Sequence, residues 1–299
     1  MRNITSILKE IKNNFRFLCN RTLKDIATVV TIFQSVSFIF DFEGILSDEV
    51  GTFMRCLTLL LTLTGVGIIA FIIESIWMLI QERVEVIDAE NGHNVYVEYG
   101  DLFKDTGEKK YIVITANRCF DTLVDNDLIS ENTIHGMAVR KICADGYTPE
   151  QLNCALQKDL QERQRIQCWE TLSVEEKRKG NLKRYPAGTI AEFKKTPGDN
   201  VTYLFLGLSA FNKNLHPEVT DMDFARSIQL LIEYCRQRSQ RFPIYMPIIG
   251  TNSLDNKRSK QDLLKYIVEV LRFNRHLIDT NIHIVVHSGN RENISIHGL

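Results

Sequence analysis

Excess charge of either sign is missing from this chain: 36 lysines and arginines face 37 aspartates and glutamates, a formal net charge of −1. Such a balance provides no broad basic footprint, so no nucleic-acid partner is expected. Metal-site cysteine spacing is missing too. The seven cysteines, Cys19, Cys56, Cys119, Cys143, Cys154, Cys168 and Cys235, include no CxxC, and their odd number argues against a disulfide framework. A reduced, intracellular setting is the expectation. No repeat period stands out, and no small-residue cleavage site follows the long basic N-terminal region, which argues against a cleaved signal peptide.

What the chain does have is one long apolar run, residues 56–80, CLTLLLTLTGVGIIAFIIESIWMLI, with no charge over residues 56–73. About 20 apolar residues cross a bilayer core as a helix, and a helix buried in a soluble core usually keeps a polar stripe that this run lacks. The reading is a transmembrane helix, with Glu74 and Trp77 at its inner interface. Residues 26–42, IATVVTIFQSVSFIFDF, form a second candidate span diluted by Gln34, Ser35 and Ser37. Before it lie Arg2, Lys9, Lys12, Arg16, Arg21 and Lys24; after it come Asp41, Glu43, Asp48 and Glu49. Basic residues mark the cytoplasmic side, which predicts a membrane hairpin with both termini cytoplasmic and a short acidic loop outside. Ile4, Ile7, Leu8, Ile11, Phe15 and Leu18 recur at helical spacing among basic residues. That pattern suits a helix lying on the membrane surface and equally one packed on the protein itself. Thr58, Thr62, Gly65 and Ser35 could supply contacts between protomers of a homo-oligomer; a simple anchor is the plainer alternative.

From residue 84 the pattern alternates between strands and helices, an α/β layer fold. The spacing predicts strands over residues 95–99, 111–115, 189–193, 201–208, 244–249 and 282–287, and helices over 133–144, 148–163, 221–238 and 258–275. The charge-rich residues 170–184 read as a solvated excursion. Three loops follow strand ends: Gly100-Asp101, Asn117 to Phe120, and Gly250 to Leu254. Ligands of open α/β sheets bind beyond the carboxyl ends of the strands, and helix starts there offer free N–H donors.

The order and spacing of VEYGDLF (97–103), ITANRCF (114–120), ISENTIHG (129–136) and PIIGTN (247–252) resemble a macro domain. More narrowly they resemble the divergent macro-like family of Thoeris antiviral effectors that join transmembrane helices to a macro domain. The resemblance covers residues 95–286. It implies two parts: residues 1–83, an N-terminal α-helical transmembrane hairpin with its amphipathic helix, and residues 84–299, a cytoplasmic α/β macro-like domain with a mixed sheet flanked by helices. It implies a pocket for ADP-ribose or a conjugate such as histidine-ADP-ribose, with no cofactor or metal. Asp101 would accept from the adenine amino group with Leu102 beside it, and Asn117 would face the distal ribose with Arg118 nearby. Ser130, Thr133, His135 and Gly136 would form one phosphate-side loop, and Gly250, Thr251 and Asn252 the other. The implied role is an antiviral defence effector: a partner TIR-domain enzyme makes the signal, the macro domain binds it, and the protein oligomerises or rearranges to disrupt the inner membrane. The first loop lacks the glycine run of macro-domain hydrolases, and Asn117 is not followed by Ala-Ala-Asn, which favours sensing over catalysis. A membrane-tethered ADP-ribosyl hydrolase is the alternative.

Other residues invite different chemistry. His283 and His287 share a strand face, but no third metal ligand is suggested by spacing. Asp121 and Asp125 could be paired acids, yet loops after strands often carry aspartates as turn formers and caps. Arg118 and Arg140 could supply positive charge for a diphosphate or only solvate the surface. The tail, residues 288–299, has no reading from sequence.

Overall fold

The computed structural model describes residues 3–39, 52–89, 92–163, 166, 170–251 and 258–299. The chain forms two compact units, one made of Met1–Glu82 with Arg291–Gly298 and the other of Arg83–Asn290 with Leu299. Arg291–Gly298 thus groups with the N-terminal helices.

The helical unit holds α1 (Ile4–Asn13), α2 (Phe15–Ile39) and α3 (Thr52–Ile80). Among the described residues one stretch, Leu57–Ile80 of α3, is long and apolar enough to cross a membrane. The second expected span falls on α2, which does not meet that test; its far end and the acidic loop, residues 40–51, lie outside the described residues. Thr58 and Thr62 donate to the carbonyls four residues back, Met54 and Thr58. Their hydroxyls are therefore satisfied within α3, which weakens them as inter-protomer donors. Glu74 is buried and pairs with Arg21 of α2 at 2.7 Å, and the Arg21 guanidinium lies 4.3 Å over the Trp77 ring. Burial of the acid needs that partner.

The α/β unit is built on one mixed sheet. Its strands are β1 (Arg83–Asp88), β2 (Asn94–Gly100), β3 (Lys110–Asn117), β6 (Thr189–Phe193), β7 (Val201–Phe211), β8 (Pro217–Glu218), β9 (Ile244–Pro247) and β10 (Ile282–His287). β4 (Glu170–Thr171) and β5 (Lys183–Arg184) form a separate small hairpin. The order is β1-β2-β10-β9-β3-β7-β6, with β8 added to the end of β7. The strands from β2 to β7 run parallel, and β1 and β6 close the edges antiparallel. β3 and β7 read as nearly continuous apolar runs because both of their faces are covered. β2 alternates between buried and half-buried residues, as a strand near an edge does.

Four main helices cover the sheet. α4 (Ile134–Ala144) and α5 (Pro149–Lys158) bury Ala138, Val139, Ile142, Leu152 and Leu156 in one core with Ile112, Ile114, Tyr203 and Phe205 of the strands. α6 (Asp221–Arg238) packs on β7, β6 and α7 (Lys260–Phe273). Their starts are written in the sequence. Thr133, Thr148, Thr220 and Ser259 each cap a helix, and Thr148 forms a capping box with Gln151 ahead of Pro149. The helix expected over residues 148–163 is α-helical to Lys158 and continues as a π turn over Asp159–Arg163. There Asp159 accepts from the backbone N–H of Glu192 on the neighbouring strand.

Candidate functional site

The parallel strands bring their carboxyl ends to one edge of the sheet. In spatial order that edge carries Asp101 after β2, Gly250 after β9, Asn117 at the end of β3, and Ser209 to Phe211 at the end of β7. At about 4.8 Å per strand, β2 and β3 lie roughly 14 Å apart. A ligand that engaged both Asp101 and Asn117 would have to lie extended across the strand ends.

At the Asn117 end is a cavity of about 200 Å³, lined by Asn117, Ser130, Thr133 and His135 together with Ser209, Phe211, Leu215 and Pro217. Pockets that enclose a whole drug-sized ligand run to about 300–1,000 Å³, so this one has room for one end of a dinucleotide-sized molecule. Asn117 is 3% exposed. Its Oδ1 accepts from the N–H of Cys119 at 3.0 Å and, more weakly, from that of Asp121 at 3.4 Å. Its Nδ2 is buried, makes no well-aligned hydrogen bond, and faces the Asp121 carboxylate, whose pKa it lowers. His135 is 7% exposed, and its Nε2 is buried without a partner. Burial pulls the His135 pKa down to about 4, against an opposing backbone hydrogen bond at Asp121. The ring is therefore neutral at pH 7. With Nε2 unpartnered, the hydrogen bond to the Asp121 carbonyl is donated by Nδ1–H, which leaves Nε2 as an acceptor. An orphan acceptor, His135 Nε2, thus sits beside a weakly satisfied amide in one cavity, a costly arrangement unless something enters to pair them.

The start of α4 forms one wall. Thr133 accepts from Gly136 N–H at 3.0 Å and donates to the Ser130 carbonyl at 2.7 Å. This leaves the Ile134 and His135 amides as first-turn donors, the usual anion-binding feature of a helix N-terminus. Gly136 is required there: a Cβ would sit 2.2 Å from the Ser130 carbonyl oxygen.

Beneath the site lies a feature with no sequence signal. Lys177 and Asp121 are 0% and 1% exposed, and Lys177 Nζ stands 2.8 Å from Asp121 Oδ2. Asp121 also accepts from Asn181 N–H at 2.6 Å, and the Asn181 amide donates to the carbonyls of Cys119 and Phe120. Burial raises the Asp121 pKa from its ordinary value, while Lys177 and these hydrogen bonds oppose it. Most of residues 170–184 are exposed, as expected of a solvated excursion, but Leu172 and Lys177 are buried. The segment folds back under the Asn117 loop, and Gly180, at φ +81, passes so close that a Cβ would meet Asp121 Oδ1 at 2.2 Å. Asp121 is an ion-pair partner and not a turn former. Asp125 is the turn former, accepting from the N–H groups of Asp127 and Leu128. Phe120 holds φ 53 with its ring fully buried against Tyr185, a strained backbone held by packing at the edge of the site.

The other expected site residues are distributed along the edge. Asp101 is exposed and accepts from Phe103 N–H at 2.9 Å, and Leu102 is buried in the core. Arg118 does not line the cavity: its Nε donates to the Tyr185 carbonyl at 2.8 Å, and its guanidinium faces Asp223 at 3.8 Å. Gly250 is buried at φ +89, Thr251 is half-buried, and Asn252 lies outside the described residues. Arg140 pairs with Glu131. His283 is stacked between Tyr245 and Tyr96 with Nδ1 3.2 Å from Glu98, while His287 is exposed. Among the described residues no group of three or more His, Cys, Asp or Glu could hold a metal. Ser209, Phe211, Leu215 and Pro217 escaped the sequence reading, which ended the β7 strand at Leu208; the apolar pattern running on to Phe211 was the available signal.

Two solved structures resemble the fold. The Oceanobacillus iheyensis macrodomain with MES bound is 14% identical, with 72% of this chain and 93% of that chain covered and a TM-score of 0.45. The same macrodomain with ADP gives 14% identity, 71% and 92% coverage, and a TM-score of 0.43. The Thoeris protein ThsA of Bacillus amyloliquefaciens (strain Y2) is 23% identical over 214 residues, 70% of this chain and 67% of that protein. The family described as Thoeris protein ThsA, Macro domain, matches residues 95–287, from the start of β2 to the end of β10, and the chain belongs to that family.

Proposed function

We propose that this protein is a ligand-sensing effector of Thoeris antiviral defence. Its macro domain binds an ADP-ribose-derived signal made by a TIR-domain partner enzyme. Binding changes how protomers of a homo-oligomer pack in the inner membrane, and the resulting membrane disruption arrests or kills the infected cell. Family membership supports the system and the ligand class. The observation that carries the binding reading is the buried, unpartnered His135 Nε2 beside the Asn117 amide, in a cavity at the start of α4. A donor beside an acceptor suits ribose hydroxyls, each of which both gives and takes a hydrogen bond. The α4 amides suit the adjacent phosphate, and Asp101 lies along the same edge for an exocyclic amine.

Sensing is favoured over hydrolysis by the cavity's acid–base inventory. Asp127 is the one carboxylate among its lining residues, and it is paired with Arg178 at 2.6 Å and faces Lys179. His135, with its pKa near 4, is a weak base at neutral pH. Membrane residence is supported by α3, whose Leu59, Leu60, Leu61, Ile68, Ile69, Ile72 and Ile73 are exposed.

Calorimetry of the detergent-solubilised full chain against ADP-ribose, with chromatography of the recovered ligand, tests the reading. Stoichiometric binding with the ligand returned intact is expected. No heat of binding with ADP-ribose or its histidine conjugate would overturn the sensor, and steady release of ADP-ribose from a modified protein would establish the hydrolase instead.

A further inference from the structure

The last stretch of chain follows the final strand of the sheet yet belongs to the helical unit. Arg291 and Glu10 have side chains 8% and 3% exposed, and Arg291 Nε donates to Glu10 Oε1 at 2.8 Å. Another guanidinium nitrogen donates to the carbonyls of Leu79 at 2.6 Å and Gln81 at 3.1 Å. Carbonyls at a helix C-terminus lack intrahelical donors, so one side chain caps the end of α3 and neutralises an acid of α1. The neighbouring residues extend the grip. Glu292 accepts from Ser6 at 2.7 Å, its carbonyl accepts from Asn13 at 2.7 Å, and Asn293 accepts from Lys9 at 2.7 Å. His297 stacks on Phe17 with ring centroids 5.2 Å apart and lies 6.4 Å from Trp77.

A buried ion pair is costly to leave half-made. The tail and α1 are therefore held, or released, together. Chain connectivity gives this grip a consequence. β10 ends at His287, which pairs in register with Gly100, the residue before Asp101. From His287 to Arg291 the backbone can extend at most about 14 Å. Arg291 is therefore joined to the carboxyl end of β10 by a short stretch of chain.

We propose that residues 291–298 are a clamp through which the macro domain controls the helices. In the resting chain Arg291 locks α1 to the end of α3, and ligand binding releases the lock. The inference rests on the ligand-sensing reading above. Ligand opens the clamp only by binding the released form more tightly than the locked one.

The test is hydrogen–deuterium exchange on the full chain in vesicles of phosphatidylethanolamine and phosphatidylglycerol, following amides of α1 and of residues 291–298. Without ligand, Arg291→Met and the milder Glu10→Gln should each speed that exchange by about tenfold or more. Saturating ADP-ribose should speed it comparably in the wild type and add less than about twofold in Arg291→Met. By the same linkage, calorimetric affinity for ADP-ribose should rise in both variants, by about tenfold where the lock is fully open. Unchanged ligand-free exchange in both variants would show that there is no clamp. Bound ADP-ribose with unaltered tail exchange in the wild type would show a clamp that ligand does not operate. Absence of ADP-ribose binding to the wild type would remove the ligand reading and the control role with it, while the ligand-free comparison still decides whether the clamp exists.

Discussion

Lys177 Nζ sits 2.8 Å from Asp121 Oδ2 with both side chains out of solvent, and the Asp121 backbone is the shared support of Asn117 and His135 in the cavity. Its N–H reaches Asn117 Oδ1 at 3.4 Å, and its backbone hydrogen-bonds His135. The pair thus fixes which atoms of Asn117 and His135 are left for a ligand. Lys177→Met would leave a carboxylate buried without its cation, at a cost of about 3–5 kcal/mol. Urea denaturation should show that loss. Lys177→Met combined with Asp121→Asn should recover much of it, because the uncompensated charge is gone. If the single variant is as stable as the wild type, the pair is not the support described.

His135→Phe separates stability from binding. The change removes a buried unpaired nitrogen and keeps an aromatic ring beside Phe205, whose centroid is 5.9 Å away. Removing the unpaired Nε2 offsets loss of the hydrogen bond to the Asp121 backbone, so stability should stay within about 1 kcal/mol of the wild type, while calorimetric affinity for ADP-ribose falls by about tenfold or more. Tighter binding would exclude Nε2 as a ligand contact.

The same histidine sets a pH dependence. Its native pKa of about 4 lies below the ordinary 6.5, so the native state favours the neutral ring. Stability is fully present above pH ~6.5 and is lost as pH falls toward ~4, because the unfolded chain takes up the proton first. The full loss is on the order of 3 kcal/mol. Denaturation midpoints between pH 7 and pH 4 should decline less steeply in His135→Phe than in the wild type. Equal slopes would place the acid sensitivity elsewhere.

Much of this was legible and some was not, for physical reasons. Caps are local chemistry, so Thr148 with Pro149 announced α5, and the buried YIVIT run announced β3. The loops at Asp101, Asn117 and Ser130 follow strand ends or precede helix starts, which sequence pattern reveals directly. Lys177 could not be found that way. It lies in a charge-rich segment, and only the fold brings it to Asp121, 56 positions away. Arg118 looked like a phosphate ligand by type and position, but the Tyr185 carbonyl and Asp223 engage it. The tail has no periodicity at all, and its partners are α1 and the end of α3.

Gly136→Ala probes the seat of α4. The new methyl would meet the Ser130 carbonyl oxygen at 2.2 Å and Glu131 Cα at 2.9 Å, both backbone atoms that cannot swing aside. The first turn must shift away from the loop, at a cost of about 1–3 kcal/mol. Affinity for ADP-ribose should drop with stability, since the moved amides are the proposed phosphate donors. Full affinity in a folded Gly136→Ala protein would remove the α4 start from the site.

Asp101 has two separable duties, and two substitutions distinguish them. Its Oδ1 accepts from Phe103 N–H at 2.9 Å and shapes the turn after β2, while the exposed carboxylate is the acceptor offered to an adenine amine. Asp101→Asn can keep the turn, because an amide oxygen accepts as well, but it replaces carboxylate charge with a neutral amide. Asp101→Ala loses both. If amine reading is the main duty, both variants should weaken ADP-ribose binding by about tenfold or more, since hydrogen bonds to charged groups are the stronger kind. Ligand-dependent toxicity should disappear along with binding, while insertion in the membrane fraction stays unchanged. If Asp101→Asn binds like the wild type and only Asp101→Ala fails, the residue serves the turn and the adenine must be read elsewhere on the edge.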